Sequence, residues 1–358
     1  MKTSQLLLGV MAVAVLSVTS CKKDEENEDP IQDGVSLENK LVDAYVVNEG
    51  SFGSSNASIT YFDASGNPQA NYFNTVNNRE LGDVAQSMTI ANGNGYIVLN
   101  ASGKVEVVDI TNFESTATIE GLSYPRYAIN VNNEKVLVSN GSGAGTVEVI
   151  DATTNQVTQS INVGDGPEMM YHYNNEVVVA NSGGWGIDST ISVIDLTSMT
   201  VSTTVEVGKG PFDIERDVNG NYWVLCKGEK EYDSSWNLVG GVAPSLVQLD
   251  ANFNVVKTIS IGDYTTSVGS LEIDLAKSTL YYRSGDIYKI DIDATEAPTA
   301  AFIEGSFSGL VLDATDRIIG LKTPSYTENG TAQIFNSAGT LLGTYDVGIG
   351  PNGVVFRN

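Results

Sequence analysis

The chain has 358 residues, 44 of them Asp or Glu against 19 Lys or Arg, for a formal charge of −25, with one His and two Cys. That balance excludes nucleic acid as a partner, because phosphate binding needs a basic footprint, and it disfavours direct contact with anionic lipid heads while favouring solubility. One His and two Cys leave little for zinc chemistry, and no zinc-ligand pair, EF-hand loop or phosphate loop is found.

Residues 1–21 read as a targeting segment: Lys2 is the basic end, Leu6 to Leu16 is apolar, and Val18-Thr19-Ser20 precedes Cys21. The apolar stretch is too short to be retained as a spanning helix. Small residues directly before a Cys resemble a bacterial lipobox, in which Cys21 is lipidated and acyl chains anchor the protein. Residues 22–40 open with Lys22-Lys23 and then Asp24-Glu25-Glu26-Asn27-Glu28-Asp29, a composition that solvates rather than folds. They are expected to form an acidic, disordered tether, with the folded domain over 41–358. An acidic cluster after a lipidated Cys also looks like the surface-export signal of Bacteroidota lipoproteins.

From there one phrase recurs seven times, a β-branched run ending in an acid or Asn and then a turn. It reads SITYFDASG (58–66), VEVVDITN (105–112), VEVIDATT (147–154), ISVIDLTS (191–198), LVQLDANF (246–253), IYKIDIDA (287–294) and AQIFNSAG (332–339). Successive acids or Asn, from Asp63 to Asn336, lie 46, 42, 44, 55, 41 and 45 residues apart. A period near 40–45 with four strands per repeat predicts an all-β, seven-bladed β-propeller of four-stranded antiparallel blades. We label the strands A to D from the channel outward. Asn132-Asn133, Asn174-Asn175 and Asn219-Gly220 supply tight A–B turns. Strands C and D are expected to alternate polar and apolar residues. The links VGDGP (163–167), VGKGP (207–211) and VGIGP (347–351) carry the chain from one rim to the next centre. The C-terminal VGIGPNGVVF supplies only a strand A. Residues 44–50, 58–63 and those near Tyr72 supply B, C and D, so both chain ends are expected to share one blade and close the ring.

Meander order puts the D–A links and B–C loops on one face. The other face is trimmed to tight turns. The B–C loops vary in length, as in EGSFGSSNA (49–57), SGGWGID (182–188), KTPSYTENG (322–330) and the insert KGEKEYDSSWNLVGGVAPS (227–245). Variable loops on a rigid scaffold are where binding concentrates. They carry Phe52, Trp185, Tyr232, Trp236 and Tyr326, and the D–A links add Tyr124, Arg126, Phe212 and Tyr264. Aromatics with a few polar partners suit a large, flat, partly apolar ligand or a protein surface. Four B strands end in Asn48, Asn100, Asn140 and Asn181, read as Asx-turns at the loop entries. Cys226 reads as a buried small hydrophobe, and His172 as a packed strand-A residue that faces the channel. No Ser-His-Asp set, metal site or cofactor is assigned. A channel calcium held by acids, and glycosidase-like carboxylate pairs, stay open at this level.

The VxVID phrase and VGxGP link resemble the YncE-type seven-bladed propellers. The opening AYVVNEGSFGSSNASITYFD (44–63) is similar to that of Bacteroidota surface lipoproteins of this fold, among them the BtuG corrinoid-binding proteins. The resemblance spans about 44–358 and the anchor. It implies a non-enzymatic outer-membrane lipoprotein that captures a corrinoid, a vitamin B12-type ligand, for a TonB-dependent transporter, with the membrane met only through the lipid. A protein-interaction or adhesion platform is the first alternative, and a metal-assisted, lactonase-like hydrolase the second.

Overall fold

A computed structural model describes residues 37–357. The leader with Cys21, and the tether up to residue 36, lie outside the described residues. Among the described residues no helix is long and apolar enough to cross a membrane.

Seven antiparallel sheets form seven blades. The seven inner strands, 351–356, 85–91, 125–131, 167–173, 211–216, 269–273 and 309–312, neighbour one another in a closed circle around a central channel. In the first blade the sheet order is 351–356, 44–48, 58–62, 68–69, and Ala44 to Val47 pair in register with Phe356 to Gly353. Antiparallel pairing here joins the two ends of the folded unit and leaves no free inner edge.

The B and C strands are wedged between neighbouring blades and buried on both faces, as in Val136–Asn140 and Val105–Val108. This corrects the expected alternation in strand C: the polar residues Glu106 and Glu148 are also buried. Each is paid for by partners. Glu106 meets Arg79 Nη2 at 2.5 Å and Lys104 Nζ at 3.0 Å. Glu148 accepts from Thr146 Oγ1 at 2.6 Å and Ser160 Oγ at 2.9 Å. The D strands face solvent, as in the almost wholly exposed Gln156–Asn162.

Three departures from regularity bear on the reading. Tyr72 is not in a strand but in a short helix, Tyr72–Asn77, that follows a two-residue strand D. The helix drives Phe73 between the first two blades, where the rings of Tyr61, Tyr45, Phe113 and Tyr72 cluster with centres 4.8–5.0 Å apart. The sixth blade has three regular strands, and its outer segment pairs with strand C only at the Ile287–Ile303 bridge, with Gly305 N donating to Asp286 Oδ1 at 2.7 Å. Finally, residues 37–40 belong to the propeller rather than to the tether. A 3-10 turn at Leu37–Asn39 is held by Arg317 Nη1, which donates to the carbonyls of Glu38 at 2.7 Å and Lys40 at 2.8 Å. Tyr345 Oη donates to Asn39 O at 3.0 Å, and Leu41 is fully buried.

Candidate functional site

The four Asn at the ends of B strands do not close Asx-turns. They reach across the ladder or to the next blade, because strand C places hydroxyls opposite them. Asn48 Nδ2 donates to Thr60 Oγ1 at 3.2 Å, Asn140 Nδ2 to Thr146 Oγ1 at 3.3 Å and Asn181 Nδ2 to Ser192 Oγ at 3.0 Å. Asn100 Nδ2 donates to Pro125 O at 2.9 Å, at the start of the next inner strand. The first glycine of the VGxGP link lies on this residue. A Cβ at Gly164 would sit 2.5 Å from Asn181 Nδ2, and one at Gly348 2.7 Å from Asn48 Cγ. In the fifth blade Cys226 takes the Asn place, and a Cβ at Gly208 would sit 3.2 Å from its Sγ. Burial pushes that thiol up to about 12. The second glycine, at 166, 210 and 350, has φ between +54° and +65°, which a side chain would strain. Pro then opens strand A beside a register shift. Link, amide and bulge together set the height at which each inner strand begins, and so the shape of the channel mouth.

The mouth opens on the face of the links and B–C loops as a bowl of about 870 Å³, to which all seven blades contribute. Six of the nine residues expected from the sequence line it: Phe52, Tyr124, Arg126, Trp185, Phe212 and Tyr326. Phe52 and Trp185 are more than four-fifths exposed. Trp185 leans on Tyr124, ring centres 5.7 Å apart. The rim loops are cross-tied. Trp185 N donates to Ser142 O of the previous blade at 2.9 Å, Ser51 Oγ donates to Tyr326 O, and Gly53 N donates to Asp83 Oδ2 at 2.8 Å. Such ties hold the aromatic rim in place before any ligand arrives.

The other three lie elsewhere. Tyr232 and Trp236 sit on a two-stranded ribbon, Glu229–Tyr232 with Leu238–Val242, their rings 6.2 Å apart and facing solvent. Tyr264 is in the link before the sixth blade, outside the bowl.

Sequence reading missed the polar floor. Glu49, Gln86, Lys227, Arg283 and Asn352 line the bowl. Arg126 Nε donates to Glu168 Oε2 at 3.0 Å, and its Nη1 donates to Gln86. Its guanidinium also lies 5.6 Å from the ring centres of Tyr124 and Tyr127. Lys227 Nζ stands 3.2 Å from the centre of Phe212. Its side chain meets water within the bowl, but enclosure by the surrounding blades, opposed by Glu168 and aided by Arg126 and Arg283, pulls the ammonium down to about 8. Lys227 directly follows strand B of the fifth blade, where the long insert begins, and only the length of that insert hinted at it.

Below the bowl the channel narrows to about 270 Å³ and turns acidic. Burial raises Asp213 to about 6, although Leu271 N at 2.7 Å and Ile214 N at 2.9 Å donate to it. Burial, then Asp213, raises Glu215 to about 8. Glu272 lies well above the usual carboxylate range through burial, Glu215 and Asp213. Among the described residues no three of His, Cys, Asp and Glu are gathered as a metal ion's ligands would be. His172 lies toward the A–B turn, at the far end of its strand, with Nε2 3.0 Å from Asn174 O.

Solved structures share the fold. A functionally unknown protein from Desulfotomaculum acetoxidans DSM 771 superposes with a TM-score of 0.64 at 11% identity, over 87% of this chain and 98% of its own. A quinonprotein alcohol dehydrogenase-like protein from Bacteroides thetaiotaomicron VPI-5482 gives 0.63 at 15%, over 90% and 79%. Hydrazine synthase from Kuenenia stuttgartiensis gives 0.58 at 14%, over 75% and 88%. At such identities the likeness is one of fold alone. No curated protein matches the sequence. A family model described as a domain of unknown function, DUF5074, matches residues 43–321.

Proposed function

Since the chain belongs to the DUF5074 family, whose description fixes no activity, we propose its function from the site: a non-enzymatic binding protein that captures a large, flat ligand in the bowl at the channel mouth. The observation that carries this reading is the bowl itself, about 870 Å³ and rimmed by exposed aromatics on cross-tied loops. That volume is at the upper end for small-molecule sites. Trp185, whose ring touches that of Tyr124, and Phe52 are more than four-fifths exposed, which leaves their stacking surface to a ligand. A corrinoid is the ligand we assign, from the likeness of residues 44–63 to the corrinoid-binding lipoproteins. The same likeness, with the lipobox-like run at Cys21, supports an outer-membrane surface anchor and delivery to a TonB-dependent transporter.

Isothermal titration with cobalamin and cobinamide tests this. Binding at micromolar protein is expected, and Trp185→Ala should weaken it by about tenfold, roughly 1.4 kcal/mol, with melting unchanged. A folded protein that gives no heat with either corrinoid removes the corrinoid assignment.

A second reading rests on the ribbon 229–242, which holds Tyr232, Trp236 and Val239 in solvent at half exposure or more. It suits a protein partner, the transporter among them. Deleting 229–242, while keeping Lys227, should abolish co-purification of that partner and spare ligand binding. A partner retained after the deletion rules out the ribbon as its contact.

A further inference from the structure

Three cations gather in the bowl of a strongly acidic chain, and they are not equivalent. Arg126 is matched by Glu168 and Gln86. Lys227 and Arg283 are not matched. Among the described residues neither forms an ion pair, and Lys227 Nζ makes no hydrogen bond. Arg283 Nη1 makes one long contact, to Phe307 O at 3.4 Å, and Arg283 Nε is buried without an acceptor. A guanidinium has five donors and no acceptor, so most of its capacity is unmet. Gly269 makes room for it, since a Cβ there would lie 2.2 Å from Arg283 Nη2.

Nearby carboxylates do not fill the gap by contact, although Glu168 and Asp213 attract Lys227 through space. Glu168 faces Arg126, Glu49 Oε1 accepts from Asn352 Nδ2 at 2.9 Å, and Asp213 accepts two backbone N–H groups. The two cations, on adjacent blades, repel each other across the bowl. An anion brought from outside would relieve that repulsion and satisfy the open guanidinium donors. Phe212 under Lys227, and Trp185 against Tyr124, offer ring faces on the same bowl.

We propose that Lys227 and Arg283 form an anion subsite, so that the captured ligand is a flat conjugated molecule bearing a carboxylate or phosphate. This rests on the capture reading above and narrows its ligand class. The two anions share one chemistry here, oxygen acceptors on a negative group.

Fluorescence titration of the full chain with 1-pyrenecarboxylate and 1-pyrenemethanol tests it, because the probes share a flat ring and differ in charge. The carboxylate should bind about tenfold tighter or more, and this advantage should shrink as salt is raised. It should vanish in the Lys227→Met, Arg283→Met double variant and persist in Lys227→Arg. If the double variant does not fold, Lys227→Met alone should still cut the advantage by about threefold. Equal affinities, no binding of either probe, or an advantage that survives the substitutions overturns the subsite. Cobalamin titrated in parallel separates the two claims. Cobalamin binding without a carboxylate advantage overturns the subsite alone, and a carboxylate advantage without cobalamin binding overturns the corrinoid assignment alone.

Discussion

The outer C–D turns and the channel mouth are made from the same seven blades by opposite rules. At the turns the same device recurs. The Oδ1 of Asp63, Asp109, Asp151, Asp195, Asp250 and Asn336 accepts the backbone N–H two residues on, at 2.7–3.1 Å. Asp291, the seventh, makes no such bond, and its blade is the one without a regular strand D. At the mouth no single residue recurs from blade to blade: Phe52 comes from the first, Tyr124 and Arg126 from the third, Trp185 from the fourth, Phe212 and Lys227 from the fifth, Arg283 from the sixth and Tyr326 from the seventh. Repetition carries the scaffold, and departure from repetition carries the site. Changes to repeated parts should therefore move stability, and changes to unrepeated parts should move binding.

The largest effect should come from the strand that closes the ring. Removing 350–358 deletes the partner of 44–48 and uncovers the packing of Val354 against the last blade. Each ladder bond is worth about 0.5–1.5 kcal/mol net, against a total stability of about 5–15 kcal/mol. The truncated chain should aggregate or show no cooperative melt. A wild-type melting curve from that chain would refute the shared first blade.

Next is the acidic channel, an unrepeated region whose substitution should nonetheless move stability. Glu215 holds its proton up to about 8 in the fold, against 4.5 as its ordinary value. Between those values the unfolded chain has lost a proton that the native state keeps, so stability falls as pH rises. Its contribution is complete below about 4.5 and gone above about 8. Glu215→Gln should flatten this slope and raise stability at pH 8 by up to a few kcal/mol, as read from denaturant midpoints at pH 5 and pH 8. An unchanged slope would mean that water reaches the channel well enough to keep Glu215 ionised.

A smaller loss should follow Gly164→Ala. Its φ is not in the left-handed region, so any cost comes from the Asn181 side chain that the new methyl would meet at 2.5–2.8 Å. Overpacking of this kind costs about 1–3 kcal/mol, and chemical denaturation should show it with ligand affinity little changed. A stabilised variant would show that the glycine is not needed for the amide.

The same contrast explains what was legible in the sequence. The period of the VxVID phrase and the tight-turn chemistry gave the blade count and placed each strand C, because every blade solves the same packing problem. The buried state of Glu106 was not legible. Its partner Arg79 comes from another segment, Lys104 lies two residues before it in the same strand, and a KVEVV run looks the same whether the Glu faces water or cations. Tyr72 was misread because a two-residue strand D is too short to carry a period. At the mouth the aromatics were found by loop membership, which placed Trp185 and Tyr326 in the bowl but also drew in Tyr232, Trp236 and Tyr264, which lie outside it. Arg283 carried no signal and Lys227 only that of the insert it begins, since a lone cation at the end of a strand gains meaning only when the ring brings the fifth and sixth blades together.

The smallest effect tests the repeated turn itself, and the chain already contains a natural control. Asp250 Oδ1 accepts from Asn252 N at 2.8 Å and Asn254 N at 2.9 Å. Asn336 Oδ1 accepts in the same way from Ala338 N at 3.1 Å and Thr340 N at 2.9 Å. The turn therefore needs an acceptor oxygen rather than a charge. Asp250→Asn should leave melting at pH 7 within about a degree of wild type, whereas Asp250→Ala, which strands both N–H groups, should lower it by a few degrees. The bonds from Asn254 hold the Asp250 carboxyl below its ordinary 3.8. Its stabilising effect is thus present above about 3.8 and lost as pH falls through the lower native value. The Asn variant escapes that loss, so its advantage over wild type should emerge only below about pH 4. A melting temperature for Asp250→Asn at pH 7 as low as that of Asp250→Ala would show that charge, not the acceptor, fixes the turn.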